Sequence, residues 1–233
     1  MTEEVYKMLH SQVVYEDNHI IVLNKLPGQI VQGDKTGDVC LTDLLKDYLK
    51  IKYNKPGNVF CGLVHRLDRP VSGLVMFAKT DKALTRLTKM VKDRKVNKTY
   101  LAIVKNAPKT PSATLENYIK KNEKQNKSYI VKEGAKDSKI AVLDYSVVGY
   151  SSGGYTLLEV HLHTGRHHQI RTQLSNIGSP IRGDLKYGYP RSNPDGSISL
   201  HSYKLEFEHP IKKEIITLEA KPITKDALWS AFF

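Results

Sequence analysis

The sequence predicts an α+β domain, a largely antiparallel sheet flanked by a few helices. Strand-length apolar runs recur along the chain, some alternating with polar residues and some unbroken, with turn residues between them. Ser151-Ser152-Gly153-Gly154 separates two such runs, Ile140–Tyr150 and Tyr155–His163, which is a strong hairpin signal. No internal repeat and no clear linker interrupts the 233 residues, and 40% apolar composition suffices for a sizeable core. One domain over residues 1–233 is the economical reading.

Each element has its own justification. Residues 1–11 are polar and are expected to fray. Val13–Lys25 reads as two short strands around an Asp-Asn turn, closed by Pro27-Gly28, and Gly33–Asp38 reads as a loop. Thr42 is the expected cap of a helix with Leu44, Leu45, Tyr48 and Leu49 on one face. Thr80-Asp81 opens a second helix, with Ala83, Leu84, Leu87, Met90 and Val91 at helical spacing and Lys89, Lys92 and Arg94 at its basic end. Asn97–Val104 is strand-like. Lys120–Lys139 is rich in lysine around a short strand at Tyr129-Ile130-Val131, read first as a solvated hairpin and second as an RNA contact. In Tyr155–His163, Leu158, Val160 and Leu162 alternate with Glu159, His161 and His163, giving one core face and one polar face. A helix with Ile170, Leu174 and Ile177 inward stops at Gly178. A Gly- and Pro-rich loop over residues 180–197 precedes strands at Leu200–Glu208 and Glu214–Ala220, and Thr224 is the expected cap of a last helix with Leu228, Trp229 and Phe232.

Charge narrows the partners. Lys and Arg number 36 against 24 Asp and Glu, a net +12, which favours a polyanion, nucleic acid before an anionic membrane surface. Plain solubility is the bland alternative. The two cysteines, Cys40 and Cys61, have no CxxC spacing, which suits a reducing cytoplasm. No secretory signal or membrane-spanning apolar run is visible, so the expectation is a soluble, cytoplasmic monomer.

Chemistry concentrates in His65-Arg66-Leu67-Asp68-Arg69-Pro70-Val71-Ser72-Gly73, followed by the apolar run Leu74–Ala78. This is a polar loop feeding a buried strand, and loops on rigid strands are common seats of catalytic groups. A carboxylate between two arginines is favoured in its charged form, so Asp68 is the first candidate.

This stretch resembles the signature of the RluA-type pseudouridine synthases, His-Arg-Leu-Asp followed by two variable positions, usually a threonine, and Ser-Gly before an apolar strand. Val71 stands where the family usually has threonine. Two further segments carry the same resemblance. Arg94–Tyr100 is similar to the family's basic strand, whose tyrosine stacks on the target uracil. Thr164-Gly165-Arg166-His167-His168-Gln169-Ile170-Arg171 is similar to its Thr-Gly-Arg-Thr-His-Gln-Ile/Leu-Arg motif, with His167 replacing threonine. Gly183-Asp184, Tyr187-Gly188 and Leu200-His201-Ser202 also look like family elements.

The resemblance implies the pseudouridine synthase fold with a central RNA-binding cleft, and structured RNA, transfer or ribosomal, as partner. It implies Asp68 as the essential carboxylate, Tyr100 as the base-stacking residue and Arg171 as the ion-pair partner of Asp68. Arg66 and Arg166 are expected to meet phosphates or fill the gap left by a flipped base, and His65, Arg69, Lys98 and Ile170 to line the RNA site. Family members often carry a separate RNA-binding domain ahead of the catalytic one, and this chain is expected to bind without it. The reaction moves the sugar bond from a base nitrogen to carbon 5, so no cofactor is expected. Flipping the base out costs a few kcal/mol, and stacking on an aromatic ring recovers roughly 1–3 kcal/mol.

Each residue also has a structural reading. Asp68 serves equally as an ion-pair partner of Arg66 or Arg69, Tyr100 as a core aromatic, and His65 as a hydrogen-bonding group in preference to a general base. The cluster of His161, His163, His167 and His168 suggests a metal, but no accompanying carboxylates are evident in sequence. The competing functions are a non-catalytic RNA-binding or chaperone protein, whose sign would be a lost aspartate, and a metal-dependent nuclease.

Overall fold

A computed structural model describes residues 1–33 and 37–233, so Asp34, Lys35 and Thr36, in the middle of the loop expected at Gly33–Asp38, lie outside the described residues. The elements begin with α1 (Glu3–Gln12), β1 (Val13–Glu16), β2 (Ile20–Lys25), α2 (Leu41–Lys52), β3 (Gly62–Leu63), β4 (Ser72–Ala78) and α3 (Asp81–Lys92). They continue with β5 (Val96–Val104), β6 (Ser112–Asn122), β7 (Lys127–Val131), β8 (Lys139–Tyr150), β9 (Thr156–Leu162), α4 (Gln169–Asn176), β10 (Leu200–Glu208), β11 (Ile215–Glu219) and α5 (Ala227–Ser230). The chain forms two compact units, residues 1–96 with 202–223 and residues 97–201 with 224–233.

In the first unit, β2 pairs antiparallel with β1 and with β4, β3 adds to β4, and β11 pairs with β10. Every residue of β2 and β4 is buried, as in strands covered on both faces. Ile20, Val22, Leu74, Met76, Leu205 and Phe207 form one core face, closed by Ala83 and Leu87 of α3. Thr80 caps α3 by accepting from the Ala83 amide, as its sequence predicts.

The first residues depart from expectation. They are not frayed: α1 begins at Thr2, which accepts from the Val5 amide, with Glu3 and Glu4 in the favourable first turn. Leu9 is fully buried, and the Tyr6 ring stacks on Tyr48 of α2 at 5.0 Å. The polar composition is that of an amphipathic helix with a narrow apolar face. Helix α2 is capped two residues before its expected cap: Cys40 is the capping residue, and the Thr42 hydroxyl donates instead to the Val31 carbonyl.

In the second unit the antiparallel order is β5-β9-β8-β6-β7. Strand β6 has no counterpart in the sequence reading. Its burial alternates over Ser112–Asn117 only between exposed and half-buried, with Ile119 its one buried residue, so no strong apolar period marks it, and ladders to β8 and β7 hold it. The lysine-rich stretch is accordingly the end of β6, a tight turn, β7 and the turns over residues 132–138 that lead into β8. Asp226, not Thr224, caps α5 through the Leu228 amide.

The first unit is clipped at Asp17. Its carboxylate accepts from the amides of His19 (2.8 Å) and Ile20 (2.9 Å) and from Nε2 of the fully buried His209 (2.8 Å). Nδ1 of His209 accepts from the Ile211 and Lys212 amides, which fixes the tautomer that donates to Asp17. Burial alone would raise this carboxyl, but the two amides and the His209 ring outweigh it and lower it from 3.8 to about 2. Stability from this site is therefore present above 3.8 and lost as pH falls through about 2. Asp17→Asn should flatten the acid limb of a stability-versus-pH curve, and Asp17→Ala should cost about 2–4 kcal/mol in urea unfolding at neutral pH by stranding the His209 donor. An acid limb identical to the wild type's would refute this assignment.

Candidate active site

Strands β3 and β4 form an antiparallel pair, and the polar loop of the signature runs between them. His65, at the base of the loop, is buried and accepts the Met76 amide at Nε2 (3.3 Å), which is the structural role expected of it. Leu67 turns inward while Arg66 and Arg69 are exposed and Asp68 is half-buried. The Val71 amide donates to the Asp68 carbonyl (3.0 Å), closing a tight turn around Pro70. Arg69 pairs with Asp38 at 2.9 Å.

Below this turn lies Lys25, at the end of β2 and fully buried. Its Nζ donates to the carbonyls of Leu26 (3.0 Å), Arg69 (3.1 Å) and Val71 (2.6 Å). Burial lowers its pKa to about 7; Asp68 pulls it back up and Arg69 adds to the lowering. The Gly28 amide also donates to Arg69 O (2.8 Å). The backbone from Asp68 to Val71 is thus fixed through its carbonyls and the Val71 amide. Val71, where a threonine is usual, has both its amide and its carbonyl engaged and a side chain 2% exposed, so the turn is built without a hydroxyl.

The strand leaves the loop through Gly73, at φ +110°, where a Cβ would lie 2.3 Å from the Ser202 carbonyl oxygen. Only glycine fits this backbone conformation and this approach of β4 to β10.

The remaining candidates lie in the second unit. Tyr100, buried, sits on β5 opposite Val160 of β9. Lys98, two residues before it on the same face of the strand, has its pKa lowered by burial. In the third motif, the Gln169 side chain accepts from the Thr164 hydroxyl (2.8 Å) and the Arg166 amide (3.0 Å) and donates to the Val142 carbonyl (3.1 Å). Arg166 donates from Nε to the Ile140 carbonyl (2.8 Å), so part of its guanidinium is spent on the scaffold. His168 enters α4 at φ +53°, and Ile170 and Arg171 are buried.

Arg171 is gripped by Asp184: Nε meets Oδ2 at 2.7 Å and Nη2 meets Oδ1 at 2.8 Å. Sequence reasoning placed Asp184 among family elements but gave it no role; nor did it single out Lys25. A fully buried pair of this geometry fixes the guanidinium plane. The histidines have ordinary partners: His161 contacts Glu159 and Thr99, His163 contacts Asp144, and His168 contacts the Tyr187 hydroxyl. Among the described residues no group of three His, Cys, Asp or Glu is placed to hold a metal. Among the same residues no helix is long and apolar enough to cross a membrane.

The chain is similar to known proteins in both sequence and fold. Residues 19–176 match the family model for RNA pseudouridylate synthase. The chain is 34% identical over 218 residues to an uncharacterized RNA pseudouridine synthase of Bacillus subtilis, covering 92% of this chain and 69% of that protein. It is 34% identical over 205 residues to the ribosomal large subunit pseudouridine synthase D of Borreliella burgdorferi, covering 84% of this chain and 60% of that one. Among solved structures, human RNA pseudouridylate synthase domain containing 4 superposes with TM-score 0.79 over 97% of this chain and 94% of its own, at 24% identity, a likeness of fold. Human RNA pseudouridylate synthase domain containing 1 gives 0.67 at 25% identity over 90% and 82%. The protein is an isomerase that acts on RNA. It belongs to the RNA pseudouridine synthase family, in its RluA-type branch.

Lys25 is open to direct test. Lys25→Met removes the shared donor from three loop carbonyls and should cost on the order of 2–5 kcal/mol in chemical unfolding. A loss below about 1 kcal/mol would mean that the loop carbonyls find other donors.

Proposed function

We propose that the chain converts specific uridines of structured RNA to pseudouridine, with Asp68 as the essential carboxylate, Tyr100 stacking on the target base and Arg171 as the ion-pair partner of Asp68. The observation that carries this reading is the mounting of Asp68: a half-buried carboxylate on a turn whose flanking carbonyls are held by Lys25 and Gly28. Positioning of this kind is what a reaction with one catalytic carboxylate needs. In the reaction the bond from N1 to the sugar breaks, the sugar re-bonds at carbon 5, the carbon 5 proton leaves to solvent and N1 takes one up. Atoms and electrons balance within the nucleotide, so the chemistry calls for no redox partner.

The role of Tyr100 is supported by its burial on a strand beside Lys98, which pairs a stacking surface with a cation. That of Arg171 is supported by the Asp184 grip, which fixes a guanidinium before substrate arrives. Arg66 and Arg69, exposed beside Asp68, suit phosphate contact. For the target, ribosomal RNA comes before transfer RNA, because several relatives are named ribosomal large subunit synthases. Free, buried Cys40 and Cys61 suit a reducing compartment, the cytoplasm. The alternative, an RNA-binding protein without catalysis, predicts loss of the aspartate, and Asp68 is present.

Tritium release from RNA labelled at carbon 5 of uridine tests the central claim. Wild type should release tritium from bulk ribosomal RNA in the presence of a chelator, and Asp68→Asn should release none while its RNA affinity stays within about threefold. Release by Asp68→Asn at the wild-type rate would eliminate Asp68 as the catalytic group. The hairpin lysines are expected to meet phosphates. Replacing Lys120 and Lys124 by Gln should lower the slope of log K against log salt by about 1–2, and an unchanged slope would remove the hairpin from the interface.

A further inference from the structure

His167 stands where the family usually carries a threonine, and its surroundings give it a task. Its Nδ1 is 2.8 Å from the Ser128 hydroxyl and its Nε2 is 3.1 Å from Asn126 Oδ1, so both ring nitrogens hold the turn and first residues of β7. The ring stacks on His168 at 3.8 Å and 23°. His168 Nδ1 contacts the Tyr187 hydroxyl (2.9 Å), which also accepts from the Ser128 amide (2.8 Å). The Tyr187 ring is flanked by the Arg171 guanidinium at 5.0 Å and by Lys127 Nζ at 5.1 Å. A continuous set of contacts therefore runs from the hairpin turn through His167, His168 and Tyr187 to Arg171.

Threonine at this position has one hydroxyl close to the backbone and makes at most one of the two hairpin contacts. Imidazole, with a polar atom on either side of its ring, makes both. The hairpin held in this way presents exposed Lys124 in its turn and Lys120 and Lys121 on the adjoining end of β6. Lysines on a mobile arm bind phosphate at any register, whereas lysines on a docked arm bind it at one.

We propose that His167 is a positioning residue for substrate recognition: it fixes the β6–β7 hairpin against the helix carrying Arg171, so that the hairpin lysines engage RNA phosphates in a set register relative to the target uridine. The inference rests on the reading of the chain as an RNA-modifying enzyme. It adds a determinant of which RNA is accepted, acting through the hairpin and not through the reacting base.

The test is a double-mutant cycle between His167→Ala and the paired change Lys120→Gln with Lys124→Gln, using bulk ribosomal RNA and reading both tritium release and equilibrium binding. His167→Ala should weaken binding and raise KM by about five- to tenfold, with kcat changed less than about twofold. His167→Gln, whose amide keeps a donor and an acceptor, should recover most of that loss. In the background of the two glutamines, His167→Ala should add nothing, because the contacts it positions are gone. Fully additive effects, a loss confined to kcat, or no effect of His167→Ala each overturn the proposal. Thermal unfolding of each variant separates a misfolded protein from a mispositioned hairpin, and His167→Gln carries the test if the alanine variant unfolds. Absence of tritium release by wild type would count against the enzymatic reading alone, since the binding arm of the cycle still reports on His167.

Discussion

The first unit depends on a buried ammonium. Lys25 lies at the end of β2, pairs across the ladder with Gly73 of β4, and places its Nζ among the carbonyls of Leu26, Arg69 and Val71. Burying a lysine is costly, and its pKa near 7 registers that cost. The cost is offset only while all three carbonyls stay in place, so the loop cannot open without stranding the amine. The neighbouring constraint is steric. Gly73 lets β4 press against Ser202 so closely that no side chain fits, which leaves β2, β4 and β10 no slack beneath Asp68. An electrostatic cage and a close backbone contact thus fix the turn from below, and the carboxylate above it stays half-exposed.

The second unit solves the same problem with carboxylate and amide groups. All six residues from Gln169 to Leu174 are buried, although four of them are polar or charged. A helix of eight residues is too short to be stable by propensity. It is held by side chains: Gln169 bridges Thr164 and Val142, and Gln173 donates to the Leu115 and Ala141 carbonyls and to Asn117. Asp184 then anchors Arg171 from outside the helix. A buried polar network is costly when incomplete and rigid when satisfied. Here it places a guanidinium that an apolar core could not hold.

What could be read from the sequence, and what could not, divides along these lines. Turn residues and apolar periods revealed β1, β2, β4, α3, the β8–β9 hairpin and the stop of α4, because each of those signals is local. The three motifs revealed the candidate residues by resemblance. Strand β6 and helix α1 stayed hidden because their apolar faces are narrow and their partners lie elsewhere in the chain. The supports of the site were hidden for the same reason. Lys25 meets a carbonyl 44 residues away, and Asp184 reaches Arg171 from 13 residues on, out of a loop rich in Gly and Pro. The Val71 departure proved to be accommodated in the backbone, and the His167 departure brought in a pair of contacts of which a threonine makes at most one.

The cations of the chain therefore form two populations that salt should affect differently. Lys25, Arg171 and Lys79, the last bound to Glu16 at 2.7 Å and 7% exposed, hold carbonyls and carboxylates out of reach of solvent ions. Lys120, Lys121, Lys124 and their neighbours stand at or near the surface, where a Debye length of about 8 Å at physiological salt screens them. The first population sets geometry, and the second is the one proposed to meet RNA. The net charge of +12 sums both and so overstates the part available to RNA. Raising salt should loosen the grip on RNA while leaving the mounting of Asp68 and Arg171 intact, because a buried pair with its hydrogen bonds complete has little exposure for counter-ions to act on. The surface lysines and the mounted site can then vary independently: the lysines are the groups proposed to hold RNA, and the buried contacts hold the groups proposed for the chemistry in place.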